Sequence, residues 1–225
     1  MSENKNAKRL VLFDLDGTLI DPYEAITKGA QYALADVGIH ISNRDELIPF
    51  IGPPLWDSMR AITKSTDEAF IAKVVSKYRE YFAEHGVYEN KLYPGVVDML
   101  ERLKGAGLTL TIATSKLMTS AIEIVKYLGI EHYFDLIIGC EPDGTRSNKD
   151  DVIRHVLANV NLDGQEPVMI GDRKFDIIGA KKTGITSIGI TWGYGPREEL
   201  EEAGADFIVD SMDELCEEIL KEGTK

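Results

Sequence analysis

Asp14 and Asp16 close the run Leu10-Val11-Leu12-Phe13-Asp14-Leu15-Asp16-Gly17-Thr18, and two acids so placed suit attack on phosphorus. The four apolar residues before them predict a strand buried on both faces. Ligands of an open α/β sheet bind beyond the carboxyl ends of its strands. A carboxylate there can act as nucleophile, splitting one hard hydrolysis into the making and breaking of an acyl phosphate. Gly17 lets the backbone turn at the strand end. Asp16 can then swing toward a leaving group, first as general acid and afterwards as general base for water. The charge of Asp14 raises the pKa of Asp16, a nearby divalent cation lowers it, and the letters leave that contest open. Thr18 reads as a hydroxyl that pins the turn. The competing reading of the segment is a solvated turn, since Asp and Gly are common there.

Met169-Ile170-Gly171-Asp172-Arg173-Lys174-Phe175-Asp176 repeats the theme, with an apolar strand ending in Gly-Asp. Asp176 follows Asp172 by one helical turn, so both can face one spot. Asp172 is expected on a metal and Asp176 near it through a water or an outer contact. Oxygen-only ligands, and few of them, favour Mg²⁺ over Ca²⁺ or Zn²⁺. The alternative is a helix with an acid at its positive end. Thr114 and Ser115 end another apolar run and suit one phosphate oxygen, or equally a helix cap. Lys149 is a candidate cation for the phosphoryl group, with Arg146 as its competitor.

Strands and helices must carry these residues to one place. After the first strand the pattern is helical, with expected helices over 22–37, 55–62 and 67–84 and no strand between Asp21 and Tyr93. Asp67 is the expected N-cap of the third helix, and Pro53-Pro54 suits the start of the second. From Tyr93 onward strands are expected over 108–113, 134–138, 168–170, 185–190 and 205–209. Helices are expected over 96–104, 117–128, 150–160, 175–182 and 212–221. Such alternation implies α/β architecture, a doubly wound parallel sheet with an all-helical insertion after its first strand. The expected division is a catalytic core of 1–20 and 93–225 and a helical cap of 21–92.

Bulk properties narrow the partners. The 225 residues carry a formal charge of −13, which disfavours nucleic acid and anionic membrane surfaces. No apolar run approaches the ~18 residues of a membrane span. The first nine residues lack a secretory apolar segment. Cys140 and Cys216 are too few and too distant for a disulfide framework or a metal motif, so a reducing cytoplasm is the expected setting. A monomer and a homodimer are both compatible with this surface.

Asp-Leu-Asp-Gly-Thr at 14–18, Thr114, Lys149 and Gly-Asp-x-x-x-Asp at 171–176, in this order, resemble the motifs of the haloacid-dehalogenase-like phosphatases. The resemblance spans the chain. It implies a Rossmann-like core, a helical cap, Mg²⁺ and an aspartyl-phosphate intermediate. It also implies that Asp14, the Asp16 backbone carbonyl and Asp172 hold the metal, while Thr114, Lys149 and backbone amides hold the phosphoryl group. Dehalogenases and phosphonate hydrolases of this superfamily lack an acid where Asp16 stands. Phe50-Ile51-Gly52-Pro53-Pro54-Leu55, Ala113-Thr114-Ser115-Lys116 and Trp192-Gly193-Tyr194-Gly195 look like the phosphoglycolate phosphatase and 5'-nucleotidase-like branch. In that light Gly52 could admit a substrate close to the backbone, and Arg60 or Lys64 could meet a distal anionic group. Trp192 and Tyr194 are read as packing residues. The expectation is a hydrolase of small phosphorylated metabolites such as phosphoglycolate or nucleoside monophosphates. A hexose-phosphate phosphomutase and a non-catalytic binding protein of this fold are the alternatives.

Overall fold

The computed structural model describes residues 8–162 and 164–221. Most of the amino-terminal segment read above for a secretory signal, 1–7, lies outside them. Among the described residues no helix is long and apolar enough to cross a membrane. Six parallel strands form the central sheet: β1 (Lys8–Phe13), β4 (Thr109–Leu117), β5 (Leu136–Cys140), β6 (Gln165–Gly171), β7 (Thr186–Ile190) and β8 (Phe207–Val209), in the order β5-β4-β1-β6-β7-β8. A two-stranded antiparallel piece is made by β2 (Ile20–Asp21) and β3 (Lys91–Leu92), with Ile20 opposite Leu92 and Asp21 opposite Lys91.

Strand β1 is central because all four residues Leu10 to Phe13 are apolar, and none of them is exposed. Alternate residues feed two cores, as the strand period of two requires. Val11 and Phe13 join the core under α4 (Val96–Gly105), α5 (Met118–Tyr127) and α9 (Met212–Leu220). Leu10 and Leu12 join the opposite core under α6 (Lys149–Asn159) and α7 (Lys174–Thr183). This is the doubly wound α/β sheet expected from the alternation.

Between β2 and β3 the chain makes α1 (Tyr23–Asp36), α2 (Leu55–Thr63) and α3 (Glu68–Glu84). Asp67 caps α3 by accepting the N–H groups of Ala69 and Phe70 at 2.9 and 3.3 Å. Helix α2 follows Pro54, whose φ of −53° matches its expected role at a helix start.

Four departures from the sequence reading have local causes. The pair β2–β3 contradicts the absence of strands between Asp21 and Tyr93; at two residues each, its strands are too short to show a period. Strand β4 runs on to Leu117 instead of ending at Ala113, because an irregularity absorbs the polar triplet. Ala113 faces Ile138 and Leu117 faces Cys140, so four residues of β4 advance against two of β5. Strand β5 starts at Leu136, after a 3-10 turn over Glu131–Tyr133, rather than at Phe134. Helix α8 (Arg197–Ala203) was not foreseen, since only Leu200 of its seven residues is buried and no apolar stripe marks it.

Candidate active site

The sheet order places β1 between β4 and β6, so the carboxyl ends of three strands converge. Asp14 follows β1, and its N–H continues the ladder to the Ile170 carbonyl at 2.9 Å. Asp172 follows β6, and Asp176 sits in the first turn of α7. Ligand oxygens of Asp14, Asp172 and Asp176 all lie within 4.8 Å of one another, and all three residues are buried. Oxygens shared by one Mg²⁺ at ~2.1 Å bonds lie up to about 4.2 Å apart, so the cluster has the scale of a metal site. Acids distant in the chain thus meet, as the metal reading requires.

Lys149, the first residue of α6, is their counter-charge. Its Nζ lies 2.9 Å from Asp14 Oδ1 and 2.8 Å from Asp176 Oδ1, and it donates to the Ala113 carbonyl at 2.9 Å. The contact with Asp176 is a buried ion pair. Gly179 on α7 leaves room for the lysine stem, since a Cβ there would stand 2.8 Å from Lys149 Cγ. Burial opposes the ammonium charge, but Asp14 and Asp176 outweigh it and hold the lysine above its ordinary range. Arg146, the competing cation, is spent on Glu141 and on the Gly139 carbonyl.

Backbone groups orient the acids. Asp14 Oδ1 accepts the Leu15 N–H at 2.8 Å. Asp176 Oδ2 accepts the Arg173 N–H at 3.1 Å, so the residue caps its own helix while facing the cluster. Asp172 Oδ2 accepts the Tyr194 N–H at 2.8 Å, and Thr18 Oγ1 donates to Oδ1 at a long 3.4 Å. Gly17, with φ of +79°, passes so close to Asp172 that a Cβ would collide with its carboxylate.

Three carboxylates face one ammonium, a surplus of negative charge. Burial, then the charges of Asp176 and Asp14, push Asp172 up to about 8. Burial pushes Asp176 up to about 6, against the pull of Lys149. A hard divalent cation would relieve this crowding, and the all-oxygen donor set fits Mg²⁺. A stability test follows from the sign of these shifts. Both carboxyls hold their protons more tightly folded than at the unfolded value of about 3.9. Stability without metal is therefore full below pH ~4 and is lost as pH rises through about 6 and then about 8. The urea midpoint measured in EDTA should fall from about pH 5 to about pH 8, and saturating Mg²⁺ should shrink that fall. An unchanged slope would count against a shared cation site.

Asp16 stands apart from the three-acid cluster. Its carboxylate is held by Lys116 Nζ at 2.7 and 3.0 Å, and that ammonium lies 4.5 Å from the centre of the Phe82 ring on α3. Burial raises the Asp16 pKa, with Lys116 pulling it back. Lys116 was missed as a contact of Asp16, although its position two residues beyond Thr114 put it in the same irregular stretch. Thr114 is buried, and its hydroxyl accepts the Lys116 N–H at 3.2 Å; Ser115 is half-buried. Asp14, Asp16, Thr114 and Ser115 all line one cavity between the sheet and the helical insertion.

The insertion residues divide. Gly52 lines that cavity, but its φ of +106° and its closeness to Arg173 explain the glycine: a Cβ would sit 2.7 Å from Arg173 Cγ. Arg173 also donates to the Ile51 carbonyl and pairs with Glu199 at 2.9 Å. Arg60 does not reach the cavity; it pairs with Asp57 at 3.0 Å and Glu68 at 2.9 Å, and Lys64 does not line the cavity either. Trp192 and Tyr194 do more than pack. Trp192 Nε1 donates to the Thr18 carbonyl at 3.0 Å, and the Tyr194 hydroxyl donates to the Asp21 carboxylate.

Known proteins resemble this chain in sequence and in fold. A curated 5'-nucleotidase of Pseudomonas aeruginosa is 44% identical over 190 residues, covering 84% of this chain and 86% of its own length. A phosphoglycolate phosphatase of Vibrio parahaemolyticus is 30% identical over 217 residues, covering 93% and 95%. The crystal structure of a predicted phosphatase from Clostridium acetobutylicum superposes with a TM-score of 0.90 at 42% identity, covering 95% of this chain and 98% of that one. The family model described as haloacid dehalogenase-like hydrolase matches residues 11–190, and the chain belongs to that family.

Proposed function

We propose that this chain is a Mg²⁺-dependent phosphomonoesterase of small phosphorylated metabolites, working through a phosphoryl group carried on Asp14. The observation that carries the reading is the buried cluster of Asp14, Asp172 and Asp176 closed by Lys149, with Asp16 alongside on the same cavity. Asp14, Asp172 and the Asp16 backbone would hold the metal, with Asp176 behind them. When bound, Mg²⁺ supplies positive charge to the phosphoryl oxygens and balances the carboxylates.

An Asp14 carboxylate oxygen attacks phosphorus, and the bond from phosphorus to the leaving oxygen breaks. Protonated Asp16 gives its proton to that oxygen, a role that its burial-raised pKa supports. Lys149, already on Asp14, and Thr114 with Ser115 stabilise the charge that spreads over the phosphoryl oxygens. Asp16, now anionic, takes a proton from water as its oxygen joins phosphorus. The Asp14–phosphorus link then breaks and inorganic phosphate leaves. The helical insertion, residues 21–92, serves as the cap, with the β2–β3 crossing as its hinge.

Release of inorganic phosphate from p-nitrophenyl phosphate and from a panel of metabolite esters should require Mg²⁺ and stop in EDTA. Glucose 1-phosphate with a trace of bisphosphate should yield phosphate and no isomer. Isomer without phosphate would make the chain a mutase, and inertness toward every ester would remove the enzymatic reading.

A further inference from the structure

Among the described residues the Asp16 carboxylate has one hydrogen-bonding partner, the ammonium of Lys116 at 2.7 and 3.0 Å. Both side chains are nearly out of water, 12% exposed for the acid and 8% for the lysine. The chain fixes that lysine from three sides. The irregularity in β4 carries it past Thr114, whose hydroxyl accepts the Lys116 N–H at 3.2 Å. Gly139 on β5 lets the irregular backbone lie close, since a Cβ there would stand 2.5 Å from the Lys116 carbonyl oxygen. The ammonium itself lies 4.5 Å from the centre of the Phe82 ring, on helix α3 of the insertion.

Phe82 is held in turn. The ring is buried and stacks on Tyr78 with 5.7 Å between ring centres. It also presses on Gly86, where a Cβ would stand 2.6 Å from its Cδ2. About one turn earlier on α3, Arg79 donates to the Pro142 carbonyl at 2.7 Å, seating this end of the helix on the loop after β5. A cation near an aromatic ring is drawn to its face, and more strongly where water is excluded. The ammonium therefore has two anchors, an acid of the core and a ring of the insertion.

We propose that Lys116 is a positioning residue for proton transfer: it aims the Asp16 carboxyl at the leaving oxygen, and Phe82 of the insertion holds Lys116 in place. This rests on the phosphatase reading above and adds to it the residues that aim the proton donor. A general acid must come within about 2.6–3.2 Å of the oxygen that it protonates, so its orientation decides the step. As an Asp14 oxygen bonds to phosphorus and the bond to the leaving oxygen breaks, the proton passes from Asp16 to that oxygen. Lys116 keeps its own protons and acts through Asp16.

Two esters of nearly equal size read this step. p-Nitrophenolate leaves as a stable anion and needs little help from a proton, whereas the anion of phenol, a group of pKa ~10, needs more. The value of kcat/KM covers the steps up to departure of the leaving group, so the later attack of water does not enter it. With saturating Mg²⁺, the ratio of kcat/KM for phenyl phosphate to that for p-nitrophenyl phosphate should fall at least ~10-fold in Asp16→Asn and in Lys116→Met. Methionine keeps the stem and removes the ammonium. Lys116→Arg, whose guanidinium suits both a carboxylate and a ring face, should return most of the ratio. Phe82→Leu should lower it about 3-fold through the insertion alone, and gives a second reading should Lys116→Met not fold. Merely structural damage would slow both esters alike. A ratio that does not fall in Lys116→Met would overturn the assignment while leaving the phosphatase standing, and an unchanged ratio in Phe82→Leu would overturn the insertion's share in it. Inertness of the wild type toward both esters would take the phosphatase reading down as well.

Discussion

Asp14→Asn should leave a folded protein whose phosphate release is at least ~10⁴-fold below wild type. Loss of a nucleophile from a preassembled site typically costs that much or more. The substitution is nearly isosteric, and the Asn carbonyl can still accept the Leu15 N–H that fixes Asp14 Oδ1 at 2.8 Å. Lys149 keeps Asp176 and the Ala113 carbonyl as partners, so no buried ammonium is stranded. The amide oxygen is a far weaker nucleophile than the carboxylate, and the pathway through a covalent phosphoryl group closes. Circular dichroism should be unchanged while phosphate release, measured with saturating Mg²⁺, disappears. Retention of more than about 1% of wild-type kcat would mean that water attacks phosphorus directly and that Asp14 serves only the metal. Asp16→Asn gives the useful contrast, since it removes the proposed proton donor and leaves the three-acid cluster intact.

What the sequence revealed and what it hid divide along a physical line. Residues at the ends of long apolar strands were legible, because burial on both faces writes an unbroken hydrophobic run and the polar residue that ends it stands out. Asp14 and Asp172 stand out in that way, and Asp176 by its spacing of one helical turn from Asp172. Lys149 was found only as one of two cations near a loop, and the structure separates it from Arg146 through ion pairs that no spacing encodes. Contacts made by backbone groups or across the cap were invisible. The N–H of Tyr194 on Asp172, the hydroxyl of Tyr194 on Asp21 and the reach of Arg173 to Ile51 all depend on loop paths, not on periodicity. Gly52 carried a real signal, a backbone needing φ above zero, but the group approaching it is Arg173. Arg60 is the converse case. A cation on a cap helix looks available until its own acids, Asp57 and Glu68, are placed beside it.

The same loop paths tie the acid cluster to the root of the helical insertion. Asp21 pairs with Lys91 in the β2–β3 ladder, accepts the Tyr194 hydroxyl and accepts the Tyr23 N–H at 3.0 Å. Tyr194 in turn holds Asp172 by its own N–H. The chain therefore fixes where the helical insertion attaches with the same short segment that orients a candidate metal ligand. The helical insertion joins the core through this short ladder, while the strands that end in the acids, β1 and β6, lie in the packed cores.

Lys149→Met should be the most damaging single change to stability, and its cost should depend on pH and on metal. The methionine keeps an apolar stem beside Gly179 but removes the one ammonium among three buried carboxylates. Breaking a buried ion pair by deleting one partner costs about 3–5 kcal/mol, because the remaining charge stays out of water. The carboxyls answer by binding protons, so their folded pKa values rise further above the unfolded value of about 3.9. A raised carboxyl pKa gives stability that is complete at low pH and is lost as pH climbs through the folded value. The deficit against wild type should thus be small near pH 4, where Asp172 and Asp176 are protonated in both proteins, and largest near pH 8. Saturating Mg²⁺ brings back positive charge and should recover part of it. Catalysis should not recover alongside: in the proposed mechanism Lys149 also meets the phosphoryl charge, and its loss should hold kcat at least ~10²-fold down. Urea titrations at several pH values, with and without Mg²⁺, read the first effect and phosphate release reads the second. A deficit that stays constant from pH 4 to pH 8 would mean that Lys149 contributes through the packing of its stem, and that the acids do not need its charge.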